Sequence, residues 1–204
     1  MPILTVIAGP NGAGKSTVSK ELLSDSGIEA FDFDKEFYSI WSGFSYDPLV
    51  EQGAFSQAQE LYKERRSLAL ESGFDFAFET NYHTKEVLDV VDRFKSKGYR
   101  TELIFICLEN PELAIERVKL RVVRGGHSVE ESTIRSRFEA GLKMFDETFD
   151  KFDLVTVYTS EPNRVLLSYV LEPAQNAMMV LTPIPMALRR LLRRFSNYPS
   201  FGME

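Results

Sequence analysis

Along the first 160 residues, short apolar runs alternate with longer stretches in which apolar side chains recur every three or four positions. Ile3 to Ala8 is one such run, closed by Gly9-Pro10, and a continuous apolar segment of that length predicts a strand buried on both faces. Ala30 to Phe33, Phe74 to Phe78, Leu103 to Leu108 and Leu154 to Tyr158 are further strand candidates. Helical periodicity occupies about Val50 to Ser72, Lys85 to Lys97, Glu112 to Val123 and Glu130 to Phe149, and another helix is expected from Ser16. Strands alternating with helices of this length predict βαβ units, hence a three-layer α/β/α sandwich with a mostly parallel sheet of about five strands. One candidate fits less well: Phe74, Phe76 and Phe78 alternate with Asp75, Ala77 and Glu79, a pattern suited to an edge or a cleft.

After Ser160 the pattern changes. Val165 to Leu171 fits a strand or a helix, and prolines punctuate the remainder. Met186 to Phe195 places Leu188, Leu191, Leu192 and Phe195 on one helical face and Arg189, Arg190, Arg193 and Arg194 around the other. A docked helix with its arginines in water fits this pattern, as does a partner-binding or membrane-surface helix.

Composition narrows the class. A length of 204 residues suits one compact domain with room for a lid or tail. A formal net charge of −6 argues against a dedicated nucleic-acid binder, whose basic footprint dominates composition. Cys107 is the single cysteine, so no disulfide framework forms within the chain, and its apolar surroundings read as core. No apolar stretch approaches the roughly 20 residues that span a bilayer, so no transmembrane segment is expected and a cytoplasmic location is the default.

The turn after the first predicted strand carries the chemistry. Gly9-Pro10-Asn11-Gly12-Ala13-Gly14-Lys15-Ser16-Thr17 matches the phosphate-binding pattern G-x-x-x-x-G-K-[ST] in its strand-loop-helix setting. Glycines at 9, 12 and 14 let successive N–H groups wrap a phosphate at a helix N-terminus. Lys15 would reach the β- and γ-phosphates of ATP, and the Ser16 hydroxyl would serve Mg²⁺. An ABC-type ATPase would need an LSGGQ-like signature and a strand ending in Asp-Glu, and a GTPase an NKxD guanine reader; the sequence has neither. A small-molecule kinase remains the leading class.

Three further features bear on it. Asp32 and Asp34 fall at the end of the second strand, where open α/β sheets bind ligands and a carboxylate could take a hydroxyl proton. Glu79, Thr80 and Asn81 follow another strand and suit a substrate or metal shell, although a helix cap would also use Thr80, Asn81 or Thr84. Arg117, Arg121 and Arg124 lie four and three residues apart on one helical face, and Gly125-Gly126-His127 separates them from Arg135 and Arg137. Two arginine-bearing helices about a glycine hinge are what a closing lid needs. His127 could touch substrate or cap the second lid helix. With His83 the only other histidine, a histidine metal site is not expected.

GPNGAGKST, Asp34, the FETN segment from Phe78 and RVVRGGHSVEESTIRSRF from Arg121 together resemble the zeta-toxin family of P-loop kinases over roughly Ile3 to Phe149. The resemblance implies Mg²⁺- and ATP-dependent phosphorylation of a hydroxyl on a nucleotide sugar such as UDP-N-acetylglucosamine, with an antitoxin protein as a further partner. It implies Lys15 as the phosphate lysine, Ser16 as the metal ligand, Asp34 as the base, and Glu79 and Thr80 on the substrate side. Arg121 corresponds to the first lid arginine; Arg135 or Arg137 corresponds to the second, with Arg137 favoured and Arg124 and Arg135 on the nucleotide. The chain then divides into a P-loop kinase domain at 1–160, with a lid at about 117–140, and a C-terminal extension at 161–204. A shikimate- or gluconate-type metabolite kinase, suggested by Asp32-x-Asp34, and a slow ATPase acting as a switch are the alternatives.

Overall fold

Ile3–Ala8 forms β1, and its apolar run is explained by its neighbours: a computed structural model of the chain places it between two parallel strands in the interior of a sheet. The structure describes residues 1–161 and 164–202. The remaining elements are α1 (Lys15–Leu23), β2 (Phe31–Asp32), α2 (Phe33–Ser42), α3 (Glu51–Ser72), β3 (Phe76–Thr80), α4 (Glu86–Lys95), β4 (Arg100–Leu108), α5 (Pro111–Val123), α6 (Glu131–Thr148), β5 (Leu154–Ser160), β6 (Val165–Glu172), β7 (Ala177–Val180), α7 (Met186–Leu191), α8 (Arg193–Ser196) and β8 (Phe201–Gly202).

The strand order is β2-β3-β1-β4-β5-β6-β7-β8. The first five strands in that order are parallel, which matches the expected five-stranded unit. The sheet then grows beyond it: β6 pairs antiparallel with β5, β7 antiparallel with β6, and β8 parallel with β7. Among the described residues the sheet therefore has eight strands, not about five. Segment 165–172 resolves to strand because β5 would otherwise present an unpaired edge. Thr159 and Ser168, both buried, join their hydroxyls at 2.8 Å across the β5–β6 pair.

Three local expectations change. The third strand starts at Phe76 and leaves Phe74 exposed, since Asp75 is engaged by the Ile3 N–H at 2.7 Å. Of the edge or cleft expected for it, the cleft holds: β3 lies between β2 and β1, its end from Phe78 to Thr80 borders a cleft, and its alternating residues are buried because Ala77 is small and Glu79 finds hydroxyl partners. Second, α2 begins directly at Phe33, so Asp34 stands in the first turn of a helix capped by Asp32, whose carboxylate accepts from the Lys35 N–H at 3.1 Å. Third, the helix expected at 186–195 breaks at Leu192, where ψ is 59°. Leu188, Leu192 and Phe195 are buried, but the break turns Leu191 outward, 55% exposed.

That C-terminal pair is docked rather than free. Phe195 packs on Phe145 and Phe149 at centroid distances of 5.1 and 5.2 Å, and the Arg194 and Phe195 N–H groups donate to Asp146. Arg194 also pairs with Asp150, while Arg189, Arg190 and Arg193 face solvent. Cys107 is fully buried in β4, and burial pushes its thiol up to about 12, so it is inert core.

Candidate active site

The nine-residue turn from β1 into α1 has the backbone its glycines allow. Gly9, Gly12 and Gly14 adopt φ values of 147°, 76° and 94°, a region that side chains disfavour. At Gly9 a Cβ would also stand 2.5 Å from the Ile106 carbonyl oxygen, so β4 can close against the loop only because this residue lacks one. Gly14 caps α1 without a side-chain bond to its first-turn N–H groups, an arrangement suited to an anion. Pro10 C=O accepts from the Ala13 N–H at 3.1 Å, tightening the turn, and Asn11 is buried with its Oδ1 unpartnered among the described residues. Thr17 is exposed one residue beyond Ser16.

Lys15 Nζ donates to the carbonyls of Gly9 and Pro10 at 2.9 and 3.2 Å and to Asn81 Oδ1 at 3.0 Å. Burial lowers its pKa, and the charges of Glu79, Asp34 and Asp32 oppose that shift. One residue on, the Ser16 hydroxyl donates to Glu79 Oε2 at 2.9 Å and approaches Asp32 Oδ2 at 3.4 Å. Ser19 holds the other Glu79 oxygen at 2.8 Å. Burial raises the Glu79 carboxyl, Asp32 adds to the rise, and the two serines and Lys15 oppose it. Thr80 Oγ1 accepts from the Tyr82 N–H at 3.0 Å, holding the turn that follows β3, so it caps no helix; α4 starts after Lys85.

The lid residues separate into different roles. The expected Arg117-Arg121-Arg124 stripe does not form, because Arg117 turns to the Gly12 carbonyl at 3.2 Å, Ser160 Oγ at 2.7 Å and the Glu161 carbonyl. It ties the phosphate loop to the end of β5. Arg124 is exposed at the C-cap of α5. Arg121 is half-buried near Asp34 and Asp32, whose charges oppose the lowering of its pKa by burial. Its Nη2 donates to the His127 carbonyl at 3.1 Å, and a Cβ on Gly126 would meet its Cγ at 2.5 Å. His127 neither caps α6 nor enters the cavity: its ring stacks on Tyr38 of α2 at 4.0 Å and 11°. On α6, Arg135 is exposed and paired with Glu112 at 2.6 Å, whereas Arg137 faces the cleft.

The cleft is a cavity of about 480 Å³ that brings together Lys15, Asp32, Asp34, Glu79, Asn81 and Arg137. Its opposite wall was not anticipated. Phe55, Gln59, Tyr62 and Arg66 line it from α3, at spacings of four, three and four residues. That periodicity was readable in the sequence, but it looks like any core-facing stripe until α3 is placed over the cleft. His83 also lines the cavity; burial, and then the Arg137 charge, lower its pKa.

The Zeta toxin family profile matches residues 46–169, more than half of the chain. The chain belongs to the zeta-toxin family. The match begins after the phosphate loop, so loop and family profile are separate observations on one fold. A guanylate kinase of Clostridium tetani is 25% identical over 159 residues, covering 69% of this chain and 71% of that one. Among solved structures, the PezAT toxin-antitoxin system of Streptococcus pneumoniae aligns with a TM-score of 0.62 at 18% identity, covering 95% of this chain and 79% of that one. The AvrRxo1-ORF1:ORF2 complex with ATP aligns at 0.65 and 15% identity, covering 85% of this chain and 59% of that one. This zeta-toxin family member is thus a P-loop phosphotransferase. No helix among the described residues is long and apolar enough to cross a membrane.

Proposed function

We propose that the protein transfers the γ-phosphoryl group of Mg²⁺-bound ATP to a hydroxyl of a small molecule held in the cavity beside Asp34. The observation that carries this reading is the convergence of Lys15, Asp34, Glu79, Asn81 and Arg137 on one cavity at the mouth of the phosphate loop. The loop from Gly9 to Thr17 holds the phosphates through backbone N–H groups, and Lys15 exchanges its carbonyl partners for phosphate oxygens. Oxygen donors from Ser16, Glu79 and Asp32 suit Mg²⁺, which binds through one or two carboxylates plus phosphate oxygens. The cation supplies charge neutralisation on the phosphates.

Asp34 accepts the hydroxyl proton as transfer proceeds. Arg121 and Arg137, on either side of the α5–α6 connection, stabilise charge on the transferring group, with Arg137 rather than the surface-paired Arg135 in this role. Arg124, exposed at the end of α5, is left to the rim of the nucleotide site. Asn81 orients Lys15, and Thr80 shapes the acceptor side through its turn.

A nucleotide sugar such as UDP-N-acetylglucosamine is the first acceptor to test, and an antitoxin protein is the partner that the PezAT system suggests. The test is γ-phosphate transfer against pooled sugar nucleotides, sugars and nucleosides, with the product identified by mass spectrometry. Transfer to one acceptor by the wild type and none by Lys15→Ala is the expected result. Slow hydrolysis alone, with nucleotide-dependent partner binding, would replace this reading with that of a switch.

A further inference from the structure

The α3 wall carries a cation that phosphoryl transfer does not use. Arg66 is half-buried, its Nε is shut off from solvent with no hydrogen-bond acceptor, and its guanidinium pairs with no carboxylate among the described residues. It lines the cavity 5.2 Å above the centroid of Tyr62. Tyr62 is itself fixed against Phe31 and Phe78 at 5.2 and 5.8 Å; burial pushes its hydroxyl up to about 12, opposed by the charge and a hydrogen bond of Arg66, so it stays neutral. A buried guanidinium N–H without an acceptor is costly, and its planar fork matches an oxyanion.

Position along α3 adds a length. Phe55 packs on Phe33 and Phe37 of α2, beside Asp34. Arg66 lies eleven residues further along the helix, about 16 Å at the usual rise. The guanidinium, engaged by Tyr62 but by no carboxylate among the described residues, is therefore carried on the part of α3 remote from Phe55. Glu86, at the start of α4, also lines the cavity but is exposed and makes no ion pair with Arg66.

Resting on the kinase reading above, we propose that Arg66 is the acceptor-specificity residue, selecting a hydroxylated ring compound that bears a carboxylate or phosphate. The oxyanion sits on Arg66, the ring lies against the aromatic wall, and the reacting hydroxyl reaches Asp34. In the transfer the acceptor oxygen bonds to the γ-phosphorus, the bond to the β,γ-bridging oxygen breaks, ADP leaves, and the hydroxyl proton passes to the Asp34 carboxylate.

Two measurements test this. The first compares transfer to matched pairs: nucleoside with nucleoside monophosphate, sugar with sugar phosphate, and cyclic polyol with cyclic hydroxy acid. The wild type should favour the anionic member through acceptor KM by about tenfold to hundredfold, the worth of a charge-assisted hydrogen bond. Arg66→Gln should erase that preference and leave nucleotide affinity unchanged, and the pairs distinguish phosphate from carboxylate. The second measurement follows the Arg66 Nε–H signal by NMR, assigned by its loss in Arg66→Gln, in protein saturated with Mg²⁺ and a non-hydrolysable ATP analogue. Inorganic phosphate or acetate should shift it, and a neutral polyol should not. No shift with either anion, or an anion preference equally strong in Arg66→Gln, overturns the proposal. A shift without transfer to any compound leaves the anion site standing and defeats the kinase reading instead.

Discussion

The two walls of the cleft are built by different means. The phosphate wall of the proposed site is nine consecutive residues shaped by glycine conformations, tied to the rest of the molecule by the side chains of Lys15 and Ser16 and by Arg117 on the Gly12 carbonyl. The wall proposed to hold the acceptor is assembled from side chains on β2, α2, α3, α6 and the turn after β3, with more than a hundred residues between Phe31 and Arg137. A wall made of backbone tolerates little change but offers little selectivity; a wall made of side chains can be retuned one residue at a time. Substitutions on the first should therefore act through nucleotide affinity, and substitutions on the second through transfer and acceptor choice.

The largest expected effect puts one residue of each wall side by side. Asp34→Asn keeps the size of the side chain but cannot take a proton, so acceptor phosphorylation should fall about 10²–10⁴-fold while nucleotide affinity holds. Lys15→Ala should lose both, because its ammonium group belongs to the phosphate wall and also leaves Asn81 unpaired. Nucleotide affinity by calorimetry beside product formation separates the two. Full transfer by Asp34→Asn would remove the base from the acceptor wall and leave only the ATP site.

A smaller effect divides the two α6 arginines. Arg137→Ala should lower kcat by more than it weakens ATP binding, as expected of a group acting on the transition state. Arg135→Ala should change neither, since Arg135 is spent on an exposed ion pair with Glu112, and such pairs contribute little. An inert Arg137 beside an essential Arg135 would require α6 to turn during the reaction.

The same contrast explains what the sequence revealed. The phosphate loop, β1 and the five parallel strands were legible because each is a contiguous pattern: a nine-residue motif and apolar runs buried on both faces. α2 was not, because it starts with no intervening loop and its Phe33-Asp34 reads as strand end; only the Asp32 cap marks the change. Arg117 was misplaced because helical spacing sets the face of a side chain but not whether a neighbouring carbonyl captures it. The expected division at residue 160 meets a sheet that continues through β6, a pairing that no local pattern announces. The α3 stripe was visible as periodicity, but its role depends on what stands opposite.

The smallest predicted effect is a pH dependence where the two walls meet. Glu79 is buried beneath Ser16 and Ser19, and burial and Asp32 hold its carboxyl above the usual value. A raised folded pKa means that the folded state holds the proton more tightly than the unfolded chain. The stability this contributes is fully present below the ordinary carboxyl value of 4.5 and is lost as pH rises through the folded value. Mg²⁺ binding runs the opposite way, because the cation needs the ionised carboxylate: affinity should fall as pH drops through that same elevated value. With one proton involved, the slope cannot exceed about tenfold per pH unit. Titrating Mg²⁺ in the presence of a non-hydrolysable ATP analogue between about pH 5 and 8 measures it, on wild type and Glu79→Gln. The variant should bind Mg²⁺ more weakly at the upper end and lose the slope. If Glu79→Gln keeps the wild-type slope, Glu79 is not the group that controls Mg²⁺ binding, and the site must be redrawn without it.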